Sequence, residues 1–187
     1  MGRLEPMYPQ ELDEGRRGLY EAITKGPRAA GRHFPLTGEH GELRGPFNAF
    51  LLSPELGGAL QELGAAVRYR SSLTPRAREI AILLVAAHWD CAYERFAHER
   101  VGRSVGITEA ELAELRGGVV PELDDAYERA CAHLVRAMTG GDVDEEVWET
   151  WVPVVGEATV FELTTLVGYY STLALQLRVF RVSPHAD

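Results

Sequence analysis

A carboxylate and an imidazole stand four residues apart in the segment that runs from Cys91 through Glu94 to His98. Helix positions i, i+3 and i+7 project from one side, so Cys91, Glu94 and His98 share a face, while Phe96 and Ala97 point elsewhere. One turn apart, a carboxylate and an imidazole can share a proton. The carboxylate fixes the imidazole tautomer and raises its basicity, as general acid–base chemistry requires. Glu79 supplies a second carboxylate, in the otherwise apolar helix that carries the run Ile80 to Ala87. Burial there would push its pKa up, so two carboxylates and one histidine could divide acid and base roles.

Plainer readings fit the same spacings. Glu94 and His98 also suit an exposed i,i+4 pair worth a few tenths of a kcal/mol. Glu79 could pair with Arg70, Arg76 or Arg78. His88, Glu94 and His98 do not form the HExxH pattern, and no Cys/His ligand spacing is present, so no metal is expected. Cys91 is more often a small buried hydrophobe than a nucleophile, and Asp90 and Glu94 beside it oppose a lowered thiol pKa.

The elements that must hold these groups read as helical throughout. Pro9 to Lys25 has amphipathic spacing and stops at Gly26-Pro27. Residues 26–46 carry five glycines and three prolines and should form a loop, of a length that often covers a site. His33 and His40 within it have surface roles by default. Ser53-Pro54 and Thr74-Pro75 each place a capping hydroxyl before a first-turn proline, opening one helix to about Tyr69 and another towards Trp89. The second is apolar nearly all round and should be buried. Asp90 is expected to cap a helix from Cys91 to about Val105. Thr108 and Glu111 form a capping box. Further helices are expected over 124–138, around Trp148 to a stop at Pro153, and over 157–179. The fold class is all-α. The chain reads as one domain over 1–187, with an N-terminal helix and Gly/Pro-rich loop over 1–45 and a helical core over 46–187.

Composition narrows the function classes. With 19 basic against 28 acidic residues the net charge is −9. That balance disfavours nucleic acid, whose binding depends on basic surface, and anionic lipid. No apolar run reaches the ~18 residues of a membrane span. The opening residues lack a secretory pattern, and two unpaired cysteines suit a reducing compartment, so a cytoplasmic location is expected. The 157–179 helix has too few polar residues for a free solvent face, which points to a homo-oligomer.

Taken in order, these segments resemble the carboxymuconolactone decarboxylase family, which shares its fold with alkylhydroperoxidase D. The stretches that carry the resemblance are Ser71 to Leu83 with Glu79, Tyr93 to Glu99 with Glu94 and His98, and Gly106 to Glu109. Gly45 to Ala49 adds to it upstream, and Leu166 to Tyr170 downstream. In the peroxidase branch a glutamate precedes a Cys-x-x-Cys pair and then a histidine. Here Glu79, Cys91 and His98 fit that frame, but Glu94 replaces the second cysteine, so a disulfide cycle through the motif cannot run. The resemblance implies an all-α subunit in trimers or hexamers without metal or organic cofactor. It implies Glu79, Glu94 and His98 as catalytic residues, with Phe47, Asn48, Cys91 and Tyr93 near a small-molecule substrate. Arg178 departs from relatives, which tend to carry a neutral amide there. An arginine could grip a carboxylate bidentately.

The expected function is a cofactor-independent, decarboxylase-like lyase acting by proton transfer on a small carboxylate, lactone or enol. In it His98 is the principal acid/base, Glu94 orients it, and Glu79 is a second acid of raised pKa. The alternatives are a thiol-dependent peroxidase using Cys91, a dehydratase, isomerase or cyclase, and a non-catalytic oligomeric binding protein.

Overall fold

A computed structural model describes residues 2–26, 28 and 35–184. Among these the chain forms nine α-helices and one isolated antiparallel bridge, Thr37 to Leu43. The helices are α1 (Glu14–Thr24), α2 (Phe47–Phe50), α3 (Pro54–Tyr69), α4 (Pro75–His88), α5 (Ala92–Ser104), α6 (Glu109–Arg116), α7 (Ala126–Met138), α8 (Glu145–Val155) and α9 (Glu157–Val179).

α4 is the centre of the packing. The Thr74 side chain accepts a hydrogen bond from the Ala77 amide and Pro75 occupies the first turn, so the helix starts where a hydroxyl and a proline direct it. Ile80, Ala81, Ile82, Leu83, Leu84 and Val85 are all buried, and α5, α6, α7 and α9 pack around them. An apolar residue on every side is what a helix surrounded by others needs. α9 lies across α3, α4, α7 and α8 through Leu163, Leu166, Tyr170, Leu173 and Leu177. Among the described residues, no helix is long and apolar enough to cross a membrane.

Local chemistry moved three boundaries from their expected places. The Pro9–Lys25 segment is a 3₁₀ turn at Pro9–Glu11 followed by α1, because the Asp13 carboxylate accepts from the Arg16 amide and restarts the helix after an extended Leu12. Asp90 does not cap α5. It sits at φ 45°, Cys91 occupies the cap position, and the Asp90 carboxylate faces Arg95 and Arg178. Pro153 lies inside α8 rather than ending it. The helix continues to Val155 and stops at Gly156, whose φ of 81° glycine adopts without strain.

Candidate active site

Glu79, Glu94 and His98 meet although they come from two helices. Glu79 sits in the first half of α4, and Glu94 and His98 lie one turn apart on α5. His98 Nδ1 is 2.6 Å from Glu79 Oε2, and His98 Nε2 is 3.2 Å from Glu94 Oε2. The imidazole is thus held between two carboxylates. All three side chains are buried, with Glu79 at 0% exposure, Glu94 at 4% and His98 at 5%. At that depth an isolated charge would be expelled, so the charges must neutralise one another.

The neighbours show how. Glu79 Oε1 lies 3.5 Å from an Arg68 guanidinium nitrogen and 3.8 Å from Arg78 Nε. Arg68, from the last turn of α3, also donates to the Tyr170 hydroxyl at 3.2 Å. The Tyr170 ring stands edge-on to His98, with centroids 5.3 Å apart. Burial pushes the Glu79 carboxyl up, but His98, Arg68 and Arg78 together outweigh it and hold the group below its usual value. Burial pushes His98 down, and Glu79 and Glu94 outweigh that and hold the imidazole above its usual value. The expectation of a raised-pKa acid at Glu79 is therefore overturned. Three cations next to one carboxylate exceed the desolvation that the sequence made visible.

Glu94 and His98 line a cleft with about 70 Å³ of free volume. That is several times the ~10–15 Å³ a single water requires, which suits a small molecule. Phe47, Tyr93, Arg28, Arg68, Tyr170 and Leu173 also contribute to its wall. Glu79 is behind His98, on the side away from the cleft lining. Glu79 thus contacts His98 from outside the cleft, whereas Glu94, expected to stand behind the imidazole, shares the cleft with His98. Burial pushes the Tyr93 and Tyr170 phenols up, leaving both as neutral hydrogen-bond donors. Gly45, at φ 63°, allows the chain to pass against Tyr93, since a Cβ there would fall 2.5 Å from the Tyr93 hydroxyl.

Three expected contributors lie elsewhere. The Asn48 amide faces away from the cleft, accepting from the Met7 amide and donating to the Glu5 carbonyl, each at 3.0 Å. Arg178 donates to the Asp90 carbonyl at 2.8 Å and lies 3.6 Å from its carboxylate, at the turn between α4 and α5. Cys91 is packed with Ala97, Ala174 and Leu177, and burial pushes its thiol up to about 11, so it is not a thiolate at neutral pH. Part of the loop expected to cover the site, residues 27 and 29–34 with His33, lies outside the described residues. Leu36 and Pro46 from the same loop do line the cleft.

Sequence reasoning missed Arg68, Tyr170 and Arg28. A faint signal existed for the first. Gln61, Gly64 and Arg68 recur at helical spacing on the face of α3 that also carries the buried Gly57 and Val67, so polar groups fall where a core stripe belongs. Among the described residues no group of three or more His, Cys, Asp or Glu side chains is disposed to hold a metal ion.

The described residues form an all-helical fold around a buried carboxylate–imidazole–carboxylate unit. Residues 54–146 match the sequence model of the carboxymuconolactone decarboxylase family, in line with the resemblance carried by its motifs. No curated protein matches it. Solved structures share its fold. A peroxidase-related protein from Ralstonia eutropha JMP134, an alkylhydroperoxidase AhpD core, aligns with a TM-score of 0.75 at 13% identity, covering 98% of this chain and 92% of that one. A variant of the debrominase Bmp8 in complex with 2,3,4-tribromopyrrole gives 0.74 at 9% identity, covering 100% and 95%. A protein of unknown function from Agrobacterium tumefaciens gives 0.67 at 20% identity, covering 77% and 100%. At these identities the likeness is one of fold. The scaffold is one that carries enzymes, among them a decarboxylase and a debrominase.

Proposed function

We propose that this protein is a cofactor-independent acid–base enzyme of the lyase type, acting on a small carboxylate, lactone or enol. The observation that carries the reading is His98, held at 2.6 Å by Glu79 and at 3.2 Å by Glu94, with Glu94 and His98 in the cleft wall. Glu79 accepts from Nδ1–H and fixes the tautomer. Nε2 and Glu94 then form the working edge, across which a proton can be given or taken. In a decarboxylation the carbon–carboxylate bond breaks and its electron pair enters an enolate. The Arg68 and Tyr170 donors stabilise that enolate, and the His98–Glu94 pair returns a proton to carbon as carbon dioxide leaves. A dehydration, isomerisation or cyclisation would use the same groups. A thiol mechanism gains no support, because Cys91 is buried outside the cleft lining with its pKa raised.

Assembly of copies belongs to the same reading. α9 leaves Phe161 72%, Leu175 48% and Val179 49% exposed, and Gly168, Thr164 and Thr172 lie between them on its outer side. An uncharged stripe of this kind suits a helix covered by a second copy, in a trimer or hexamer.

The test is a panel of small β-keto acids, lactones and enol acids, read in heavy water by deuterium incorporation and carbon dioxide release. His98→Asn and Glu94→Gln should each slow a turned-over substrate by ~10²–10⁴-fold, the usual weight of a general acid–base group. The double variant should be little worse than either single one. Near-full turnover by both single variants would remove His98 and Glu94 from the chemistry.

A further inference from the structure

The cleft wall also carries a guanidinium, that of Arg28, which the acid–base unit does not use. Arg28 Nε donates to Gln61 Oε1 at 2.9 Å, one of its terminal nitrogens lies 3.5 Å from the Tyr169 hydroxyl, and its carbon stands 5.2 Å from the centre of the Phe47 ring. Gly64 makes this arrangement possible, since a Cβ there would collide with both the Tyr169 hydroxyl and the Arg28 guanidinium. Arg28 is therefore placed by an amide, a phenol, an aromatic face and a notch in α3.

These partners are all neutral. That sets Arg28 apart from Arg68, Arg76, Arg103 and Arg116, each of which pairs with a glutamate. Gln61 orients the guanidinium without cancelling its charge. The groups around the cleft add to the same bias. Arg28, Arg68 and His98 supply three cations against the carboxylates of Glu79 and Glu94, in a chain whose net charge is −9. A local positive excess in an acidic protein selects an anion at that place.

We propose that Arg28 is the anchor for the substrate's carboxylate, holding a small planar monocarboxylate so that its far end meets the His98–Glu94 edge. The inference rests on the acid–base reading only for which end of the ligand reacts. Arg68 is held by Glu79 and Tyr170 at the reacting end, beside the enolate, whereas Arg28 has only neutral partners and presents a planar fork of donors that matches a carboxylate. It takes over the role that the sequence suggested for Arg178.

Crotonate and crotonamide, planar and nearly equal in size, are suitable probes. Each is titrated into the full-length protein, and binding is followed by the NMR signals of the His98 imidazole and the Arg28 Nε–H. Crotonate should saturate the site and crotonamide should bind roughly tenfold more weakly or worse, the scale of one lost charge-assisted hydrogen bond. Arg28→Gln should weaken crotonate by a similar factor and leave crotonamide nearly unchanged. Arg28→Lys should recover part of the loss, and it carries the test if the glutamine variant fails to fold. Equal affinity for the two probes, unchanged crotonate affinity in both variants, or inorganic phosphate binding as tightly as crotonate overturns the proposal. His98→Asn separates the two readings. If it stays fully active while crotonate still depends on Arg28, only the acid–base reading fails. If turnover depends on His98 while crotonate ignores Arg28, only the anchor fails.

Discussion

Replacing Glu79 by Gln removes one negative charge at the point where three cations converge. The amide is nearly the same size and can still accept from His98 Nδ1–H, so no cavity forms and one neutral hydrogen bond survives. What is lost is the charge opposite His98 at 2.6 Å, Arg68 at 3.5 Å and Arg78 at 3.8 Å, in a site with 0% exposure. Removing one partner of a buried ion pair costs ~3–5 kcal/mol. The retained hydrogen bond places Glu79→Gln near the lower end, about 3 kcal/mol. At ~2–4 °C per kcal/mol for a domain of this size, the melting temperature should fall by about 6–12 °C. Urea unfolding at neutral pH measures the loss as a lower midpoint at unchanged slope. The same substitution takes away the largest influence that raises His98, so its imidazole should titrate at lower pH in the variant than in the parent, as read by NMR. A loss below ~1 kcal/mol, together with an unmoved His98 titration, would refute the buried-network account.

Other expectations follow from the same geometry. The ionised Glu79, held below its usual 4.5, contributes stability that is present above about 4.5 and lost as pH falls through the folded value; protonated His98, held above its usual 6.5, contributes stability present below about 6.5 and lost as pH rises through its folded value. Urea midpoints should therefore be highest between these limits and decline on both sides, and the profile should flatten in Glu79→Gln; a flat parent profile would contradict the coupling. Cys91→Ala removes a buried thiol outside the cleft lining, so kcat/KM should stay within roughly tenfold of the parent, equivalent to ~1.4 kcal/mol, and abolition of turnover would return the thiol to the mechanism. Sedimentation should show a homo-oligomer, and Phe161→Asp should dissociate it while helical circular dichroism is retained; a parent that sediments as a monomer at micromolar concentration would exclude the assembly.

The elements were legible wherever the residues that bound them act locally. Thr74-Pro75 starts α4, the Thr108–Glu111 box starts α6, and α9 runs from Glu157 to Val179 as its apolar content suggests. Glu94 and His98 were legible as a pair because helix spacing alone brings them together. Glu79 stood out as a lone carboxylate in an apolar run. What spacing could not supply was the order of contact. Glu79 reaches His98 across a helix pair, and that exchanged the positions expected of the two carboxylates. Arg68 left only the faint polar spacing on helix α3, and Arg28 enters through tertiary packing alone, from a loop. Asn48 and Arg178 were misplaced for the same reason. Their partners, Glu5 and Met7 for one and Asp90 for the other, lie 41 to 88 residues away in the chain. The sign of the Glu79 shift was illegible as well, because a sequence shows the burial of a carboxylate more readily than the cations that will surround it.

The Asn48 side chain has an engineering consequence. Its two bonds buckle the leading segment of the chain onto α2, and Arg3 fastens that segment again through the carbonyls of Val179 and Phe180 at the end of α9. α2 also carries Phe47, the ring beneath Arg28. A fusion partner, affinity tag or trimming at residues 2–8 is therefore an intervention on the cleft itself, although it leaves every helix from α1 onward intact. Such edits would loosen the buckle and release Phe47, and they should appear first as weakened ligand affinity rather than as unfolding. A tag placed for purification belongs elsewhere, on an exposed turn such as Gly140-Gly141 between α7 and α8, where the cleft does not feel it.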